Sequence, residues 1–391
     1  MQLLEPICAR QREHSNWRRQ IHSRPELAYN EHETSAFVQQ KLTEFGMSFE
    51  TGLGQTGVVG ILPGENEGPA IGLRADMDAL PLHELNEFPH RSKQHGVMHA
   101  CGHDGHTTML LAAAEYLTLR PKFSGTAYFI FQPAEEGEAG AKAMIDDGLF
   151  ERFPMTSVYG IHNWPGLDVG KMAMRPGPMM AAMDTFELVL RGRGGHAALP
   201  HQTADPIVAA TTLVQAWQGI VSRNVNPIDS AVLSVTQIHA GDAWAVIPNE
   251  VLLRGTVRSF RNEVRDMIED RMQEVASGIC HANHCAFDWH YERRFPATCN
   301  WADETGDAAR AARKVLGDEH VDMNVEPSTG SEDFGYMLEA KPGCYAFIGN
   351  GPRDGGRMLH SPHFDFNDEI IPIGASYWVT LVEQSLASKA A

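Results

Sequence analysis

The stretch Ala70-Ile71-Gly72-Leu73-Arg74-Ala75-Asp76-Met77-Asp78 is a short apolar run that ends abruptly in charge. A run of this length without alternation fits a strand covered on both faces, and such strands belong to mostly parallel sheets packed between helices. Similar runs lie on either side: Val58–Leu62, Ala127–Phe131 leading into Gln132-Pro133, and Val158–Ile161 leading into His162. Thr107–Leu119 has the length of a helix, and Lys142–Asp146 fits a shorter one. Upstream, two amphipathic helices are expected before and after the loop around His22-Ser23-Arg24-Pro25-Glu26. Strand, helix, strand alternation predicts an α/β layer around a mostly parallel sheet.

A second pattern begins after Met174-Arg175-Pro176-Gly177-Pro178-Met179-Met180. The order becomes strand (Thr185–Leu190), helix (Pro206–Val221), strand (Ala231–Ile238), strand (Val251–Arg258), helix (Val264–Gly278) and strand (Ala286–Tyr291). This β-α-β-β-α-β succession is the split order of a ferredoxin-like domain. After Pro296 the α/β character returns, with a helix near Asp303–Leu316, a strand at Tyr345–Ile348 and a final helix around Ile373–Ser388. The expected architecture is an α/β domain built from residues 1–179 and 294–391, interrupted by an inserted ferredoxin-like domain at 180–293. The 391 residues suffice for about two to four domains, and insertion at a surface loop is tolerated where the loop ends lie close together.

Open α/β sheets bind ligands beyond the carboxyl ends of their strands. Those ends carry Asp76 and Asp78, two residues apart; Gln132-Pro133-Ala134-Glu135-Glu136-Gly137; and Gly160-Ile161-His162-Asn163. Met98-His99-Ala100-Cys101-Gly102-His103-Asp104-Gly105-His106 precedes a helix, and Leu359-His360-Ser361-Pro362-His363 follows the late strand. A thiolate, imidazoles and carboxylates converging from separate strands suit a first-row transition metal, with zinc favoured by the borderline-soft ligand set. Of the adjacent Glu135 and Glu136, one could coordinate metal while the other acts as general base toward a water. Two metals would acidify that water and polarise a carbonyl, which is hydrolytic chemistry.

Composition narrows the alternatives. Nineteen histidines in 391 residues are a surplus of the commonest metal ligand. A formal charge of −18 argues against nucleic acid or an anionic membrane as partner. No apolar run reaches the roughly 18 residues of a membrane span, the N-terminus lacks a signal-peptide pattern, and six scattered cysteines do not form a disulfide framework; a cytoplasmic location is expected. Gly52-Leu53-Gly54-Gln55-Thr56-Gly57 matches the dinucleotide fingerprint, but an apolar strand follows it where a helix should. Cys280-His281-Ala282-Asn283-His284-Cys285 ends a helix with no second ligand cluster nearby in sequence, and no Gly-x-Ser-x-Gly elbow occurs.

These motifs resemble the dinuclear metal-dependent amidohydrolases of the aminoacylase and carboxypeptidase superfamily, in the branch of hippurate hydrolases and auxin amino-acid conjugate hydrolases. The resemblance runs from Arg19-Gln20-Ile21-His22-Ser23-Arg24-Pro25-Glu26-Leu27 to Leu359-His360-Ser361-Pro362, through Leu73–Leu80, Met98–His106, Gln132–Gly137, Gly160–Pro165, Gly192–His196 and Thr329–Phe334. It implies that Cys101, His103, Glu136, His162 and His360 bind two divalent ions per subunit, zinc or manganese, that Glu135 is the base, and that Asp78 orients a ligand. It further implies that His196 reaches the scissile carbonyl, often from the partner subunit, that Arg258 holds a substrate carboxylate, and that the backbone at Gly330 contacts the same end of the substrate. The implied substrate is a small N-acyl or N-aroyl amino acid, and the implied assembly a homodimer through the inserted domain. That domain would also close as a lid on hinges near Met174–Met180 and Glu292–Pro296. A carboxypeptidase or dipeptidase using the same metals, and a metal- or ligand-binding relative without turnover, are the alternatives. One departure stands out: Ala245, before Val246-Ile247-Pro248, occupies a position where the family usually has a substrate-contacting asparagine.

Overall fold

The apolar run that ends at Asp76 becomes the strand Asn66–Asp76, whose last seven residues are buried. Parallel neighbours flank it, Ser124–Gln132 on one side and Ser157–Pro165 on the other, which is why its side chains do not alternate. In the computed structural model, which describes residues 1–354 and 357–387, these strands centre an eight-stranded sheet. Its spatial order is Ser48–Leu53, Gly57–Pro63, Ser124–Gln132, Asn66–Asp76, Ser157–Pro165, Gly343–Gly351, Met172–Ala173 and Val321–Asp322. The Ser48–Leu53 and Gly57–Pro63 pair is antiparallel, so the glycine-rich stretch between them is a hairpin turn. The sheet is mixed, with a parallel centre.

Two units divide the chain. The first comprises Met1–Met179, Thr298–Glu326 and the residues from Asp333 onward; the second comprises Met180–Ala297 and Pro327–Glu332. In the first, the helix His103–Leu119 is buried nearly all round, as an apolar helix without a polar face must be. It packs with Gln11–His22 and Ile371–Ser385. That last helix begins two residues before the expected Ile373, and Ser388 lies outside the described residues. The N-terminal segment forms three helices, Glu5–Ala9, Gln11–His22 and His32–Glu44.

The second unit contains strand Ala182–Arg191, helix Pro206–Arg223, strands Ala231–His239 and Glu250–Ser259, helix Asn262–Ala282 and strand Ala286–Phe295. Its four strands form an antiparallel sheet in the order Ala231–His239, Glu250–Ser259, Ala182–Arg191, Ala286–Phe295. Both helices join the apolar core on the sheet, around Trp217, Leu213, Ile268 and Met272. The segment Pro327–Glu332, which follows α/β elements in sequence, goes with this unit because the Ala181 amide donates to the carbonyls of Ser328 and Gly330.

Burying charge requires pairing, and the first unit does this beneath the helix His103–Leu119. His22 and Asp104 are wholly buried and Arg18 is 1% exposed. His22 Nδ1 lies 2.9 Å from Asp104 Oδ2 and Nε2 lies 3.2 Å from Glu84 Oε1, while Arg18 reaches Asp104, Asp365 and Asp368. Burial opposes a charge on His22, but Asp104 and Glu84 outweigh it and push the imidazole up to about 9. Because the folded value is raised, this stabilisation is complete below the ordinary histidine value of about 6.5 and is lost as pH rises through about 9. Urea unfolding of the wild type should therefore lose about 2.5 kcal/mol more between pH 7 and pH 10 than the His22→Gln variant does. Parallel pH dependence in the two proteins would show that His22 is not the proton-linked group.

Candidate metal centre

Each strand end delivers a polar side chain to one region of the first unit. Asp76 ends the strand Asn66–Asp76 and Asp78 follows it, Glu135 and Glu136 follow Ser124–Gln132, and His162 sits in the second half of Ser157–Pro165. Cys101 and His103 lie at the start of the helix His103–Leu119. Between them Gly102 adopts φ +98°, and a Cβ there would stand 2.2 Å from Asn163 Oδ1, so only glycine fits the turn. His360 arrives from the later segment, its amide donating to the Ala100 carbonyl at 2.8 Å.

The ligand atoms of Cys101, His103 and His162 all lie within 4.8 Å of one another, and so do those of Cys101, Glu136 and His360. The two groups share Cys101. Cys101 Sγ is 3.3 Å from His162 Nε2, and His360 Nε2 is 3.3 Å from Glu136 Oε1. Cys101, His103, His162 and Glu135 are buried, Glu136 partly so, and His360 is exposed.

Each of the two imidazoles has its Nδ1 engaged by an acceptor. His103 Nδ1 donates to Asp78 Oδ1 at 3.2 Å, and its buried Nε2 has no hydrogen-bond partner, with carboxylate oxygens of Asp76 and Glu136 at 3.8 and 3.9 Å. His162 Nδ1 donates to the Asn163 carbonyl at 2.7 Å, which leaves the Nε2 lone pair facing Cys101. A second partner that fixes the ring and frees one lone pair is how proteins present imidazole to a metal. Burial, with Glu136, Glu135 and Asp76 close by, pushes the Cys101 thiol well above its usual range. Burial also holds His162 neutral, well below its usual range. Burial opposes charge on His103, yet Asp76, Asp78 and Glu136 raise it to about 10. A thiol kept protonated by carboxylates, and an imidazole pulling a proton into their midst, mark a net negative cradle for a cation. The residues fit a divalent metal pair.

Asp78 holds this cradle together. Its Oδ1 takes the His103 hydrogen and its Oδ2 accepts the Glu136 amide at 2.9 Å, so one carboxylate positions two candidate ligands. Behind it stands a network the sequence reading did not single out. Asp76 accepts from Arg74 at 2.7 Å and pairs with His106 at 2.6 Å; Arg74, Gln132 Nε2 and the Ala141 amide all donate to Asp333. Asp76 is fully buried, and although burial opposes its charge, His103, Arg74 and His106 hold it well below the carboxylate range. Local signal for this network existed only in the paired aspartates of Arg74-Ala75-Asp76-Met77-Asp78.

The remaining candidates belong to the second unit. Arg258 is half-buried on the strand Glu250–Ser259, and its Nη1 donates to Ser331 Oγ. Burial lowers the Arg258 pKa, and among the described residues it forms no ion pair. Gly330, which precedes Ser331 in sequence, is exposed, its amide donating to Ser328 Oγ at 3.0 Å. His196 is exposed on a short ladder in which Gly195–His196 pairs with Val246–Ile247, and the Ala197 amide donates to the Ala245 carbonyl at 3.0 Å.

A mixed sheet with a parallel centre and a largely buried Cys, His and Glu cradle at its strand ends is the frame of a metal-dependent hydrolase. Residues 72–384 match the model of peptidase family M20/M25/M40, and the chain belongs to that family. It is 43% identical to a hippurate hydrolase of Campylobacter jejuni over 381 residues, covering 97% of this chain and 98% of the relative. It is also 43% identical to an N-acetyl-L-cysteine deacetylase of Bacillus subtilis, over 93% of this chain and 85% of the relative. A crystal structure of a Bacillus subtilis protein described as a dinuclear metal binding peptidase of the M20 family superposes with a TM-score of 0.85 at 32% identity, covering 98% and 100% of the two chains.

Two variants test the cradle. Cys101→Ala should lower bound metal per subunit in elemental analysis, and unchanged metal content would remove the thiol from the site. Asp78→Asn puts an N–H against one of the two donors that Asp78 now accepts, and should weaken metal affinity by about 10- to 100-fold in competition with a chelating dye.

Proposed function

We propose that this protein hydrolyses the amide bond of N-acyl or N-aroyl amino acids, releasing a carboxylic acid and a free amino acid. The observation that carries the proposal is the pair of ligand groups sharing Cys101, with Glu135 buried beside them. The relatives named as hippurate hydrolase and N-acetyl-L-cysteine deacetylase support the substrate class. When bound, two divalent cations, zinc or manganese, would polarise the amide carbonyl and make a water acidic near neutrality.

Around that chemistry each side chain has a task. Cys101, His103, Glu136, His162 and His360 hold the cations. Glu135 takes a proton from the attacking water as its oxygen bonds to the carbonyl carbon, then returns it to the nitrogen as the C–N bond breaks, so one carboxylate serves as base and then acid. His196 donates a hydrogen bond to the carbonyl oxygen as it gains charge. Arg258, whose guanidinium is held by Ser331 and free of ion pairs among the described residues, grips the substrate carboxylate with the help of the Gly330 backbone. The β-α-β-β-α-β order of the second unit supports reading it as a ferredoxin-like lid and dimerisation domain. Its exposed Val232, Ile238, Trp244 and Val246 fit a surface covered in a homodimer. No helix among the described residues is long and apolar enough to cross a membrane, and we place the enzyme in the cytoplasm.

Release of free amine from a panel of N-acetyl and N-benzoyl amino acids and dipeptides, with manganese or zinc added, tests the function. Faster cleavage of dipeptides would turn the assignment to a peptidase, and no release from any would leave a binding protein. Glu135→Gln should keep its metal and lose about 10²- to 10⁴-fold in kcat; near-full activity would sink the base assignment. Arg258→Ala should raise KM for N-acyl amino acids far more than for the matching amides without a carboxylate.

A further inference from the structure

The turn that carries Glu135 and Glu136 is not held by its own sequence. Ala134 enters it at φ +56° and Ala139 leaves it at φ +55°, left-handed conformations that an alanine adopts at a cost. Within it Glu136 (φ −70°, ψ 69°) and Gly137 (φ +88°) are not helical. Something outside the turn must impose this shape, since a residue in such a region persists only where its surroundings over-determine it.

Besides Asp78, which accepts the Glu136 amide, the outside element is the segment between the helices Gln11–His22 and His32–Glu44. Glu31 is wholly buried, and its Oε1 accepts the Ala134 amide at 2.8 Å and the Tyr29 amide at 3.1 Å. Its Oε2 accepts the Thr56 hydroxyl at 2.6 Å. Tyr29 reaches the other end of the turn, its hydroxyl donating to the Glu138 carbonyl at 2.8 Å. The same segment pairs Leu27 with Ala79, next to Asp78. Glu31 precedes the helix His32–Glu44 but does not cap it with its side chain. Glu26 does, accepting the amides of Glu33 and Thr34 at 2.9 Å each, which leaves the Glu31 carboxylate to the turn.

We propose that Glu31 is a positioning residue for hydrolysis: its carboxylate, fixed by Thr56, pins the Ala134 amide and so sets the direction in which Glu135 and Glu136 leave the turn. This rests on the assignment above of Glu135 as base and Glu136 as ligand. Removing the carboxylate leaves a buried amide without an acceptor, and the turn relieves that by rotating out of the left-handed conformation, carrying both glutamates with it.

The test compares full-length Glu31→Ala, Glu31→Gln and wild type, each loaded with cobalt(II). Glu31→Ala should lower kcat by about 10- to 100-fold with KM little changed, and should alter the visible cobalt spectrum, because a ligand has moved. Glu31→Gln, which keeps an acceptor for the Ala134 amide, should recover most of that loss. In the Glu31→Ala background, Ala134→Gly should raise kcat again, since glycine adopts positive φ freely; a double variant no more active than Glu31→Ala would mean that Glu31 does not act through this backbone. Should Glu31→Ala fail to fold, Thr56→Val removes one hydroxyl at nearly constant shape and should lower kcat by about tenfold with the same spectral change. Wild-type kcat and spectrum in whichever of these variants folds would overturn the proposal. If the wild type itself cleaves no N-acyl amino acid, the proposed function fails, while the cobalt spectra still decide whether Glu31 holds the turn.

Discussion

One carboxylate carries more of this structure than its size suggests. Asp78 accepts a ring hydrogen from His103 and a main-chain hydrogen from Glu136, and so joins the start of a buried helix to the turn after a neighbouring strand. Neither element would hold its candidate ligand alone. The helix His103–Leu119 begins on a glycine in a conformation closed to other residues, and the turn contains two left-handed alanines. Both are locally unfavourable shapes, stable only because long-range polar contacts and a dense apolar core select them together.

The charges beneath the site follow the same logic. Arg74, Asp76, His106 and Asp333 form one buried cluster, and Arg18, His22, Asp104 and Glu84 form another on the opposite side of the His103–Leu119 helix start. Ion pairs of this kind contribute little net stability relative to apolar packing, but removing one member strands the rest in a medium that solvates them poorly. Their value is therefore geometric. They fix the carboxyl end of the strand Asn66–Asp76 and the first turn of the helix in one arrangement, so that the candidate ligand atoms stand close together.

Much of this was legible in the chain. Continuous apolar runs placed the central strands because covered strands need no alternation, and the polar residues at their ends placed Asp78, Cys101, His103, Glu136 and His162 in one crevice. What stayed hidden was polar and long-range. The partners of His22 are 62 and 82 residues away, and Ala134 lies 103 residues from Glu31, distances over which periodicity carries no information. Helix boundaries slipped for a related reason: the stretch Cys101–His106 is polar and glycine-rich, so it reads as a loop, yet tertiary burial draws His103 into the helix. The segment Pro327–Glu332 changed unit because main-chain hydrogen bonds, which sequence does not announce, bind it to Ala181.

The same contrast explains why the family is easier to read than the substrate. Most residues of the cradle are buried and mutually constrained, so a substitution at one is felt by several partners. His196 and Gly330 are exposed, and Arg258 is only half-buried. Relatives of nearly equal identity to this chain carry names that specify a benzoyl group in one and an acetyl group in another. If the reaction is built into the cradle and the choice of acyl group into exposed positions, one such exposed change can redirect specificity without disturbing the metal site. At Ala245 the carbonyl takes the Ala197 amide, which main chain alone provides, so the side chain there can vary while the ladder carrying His196 stays intact.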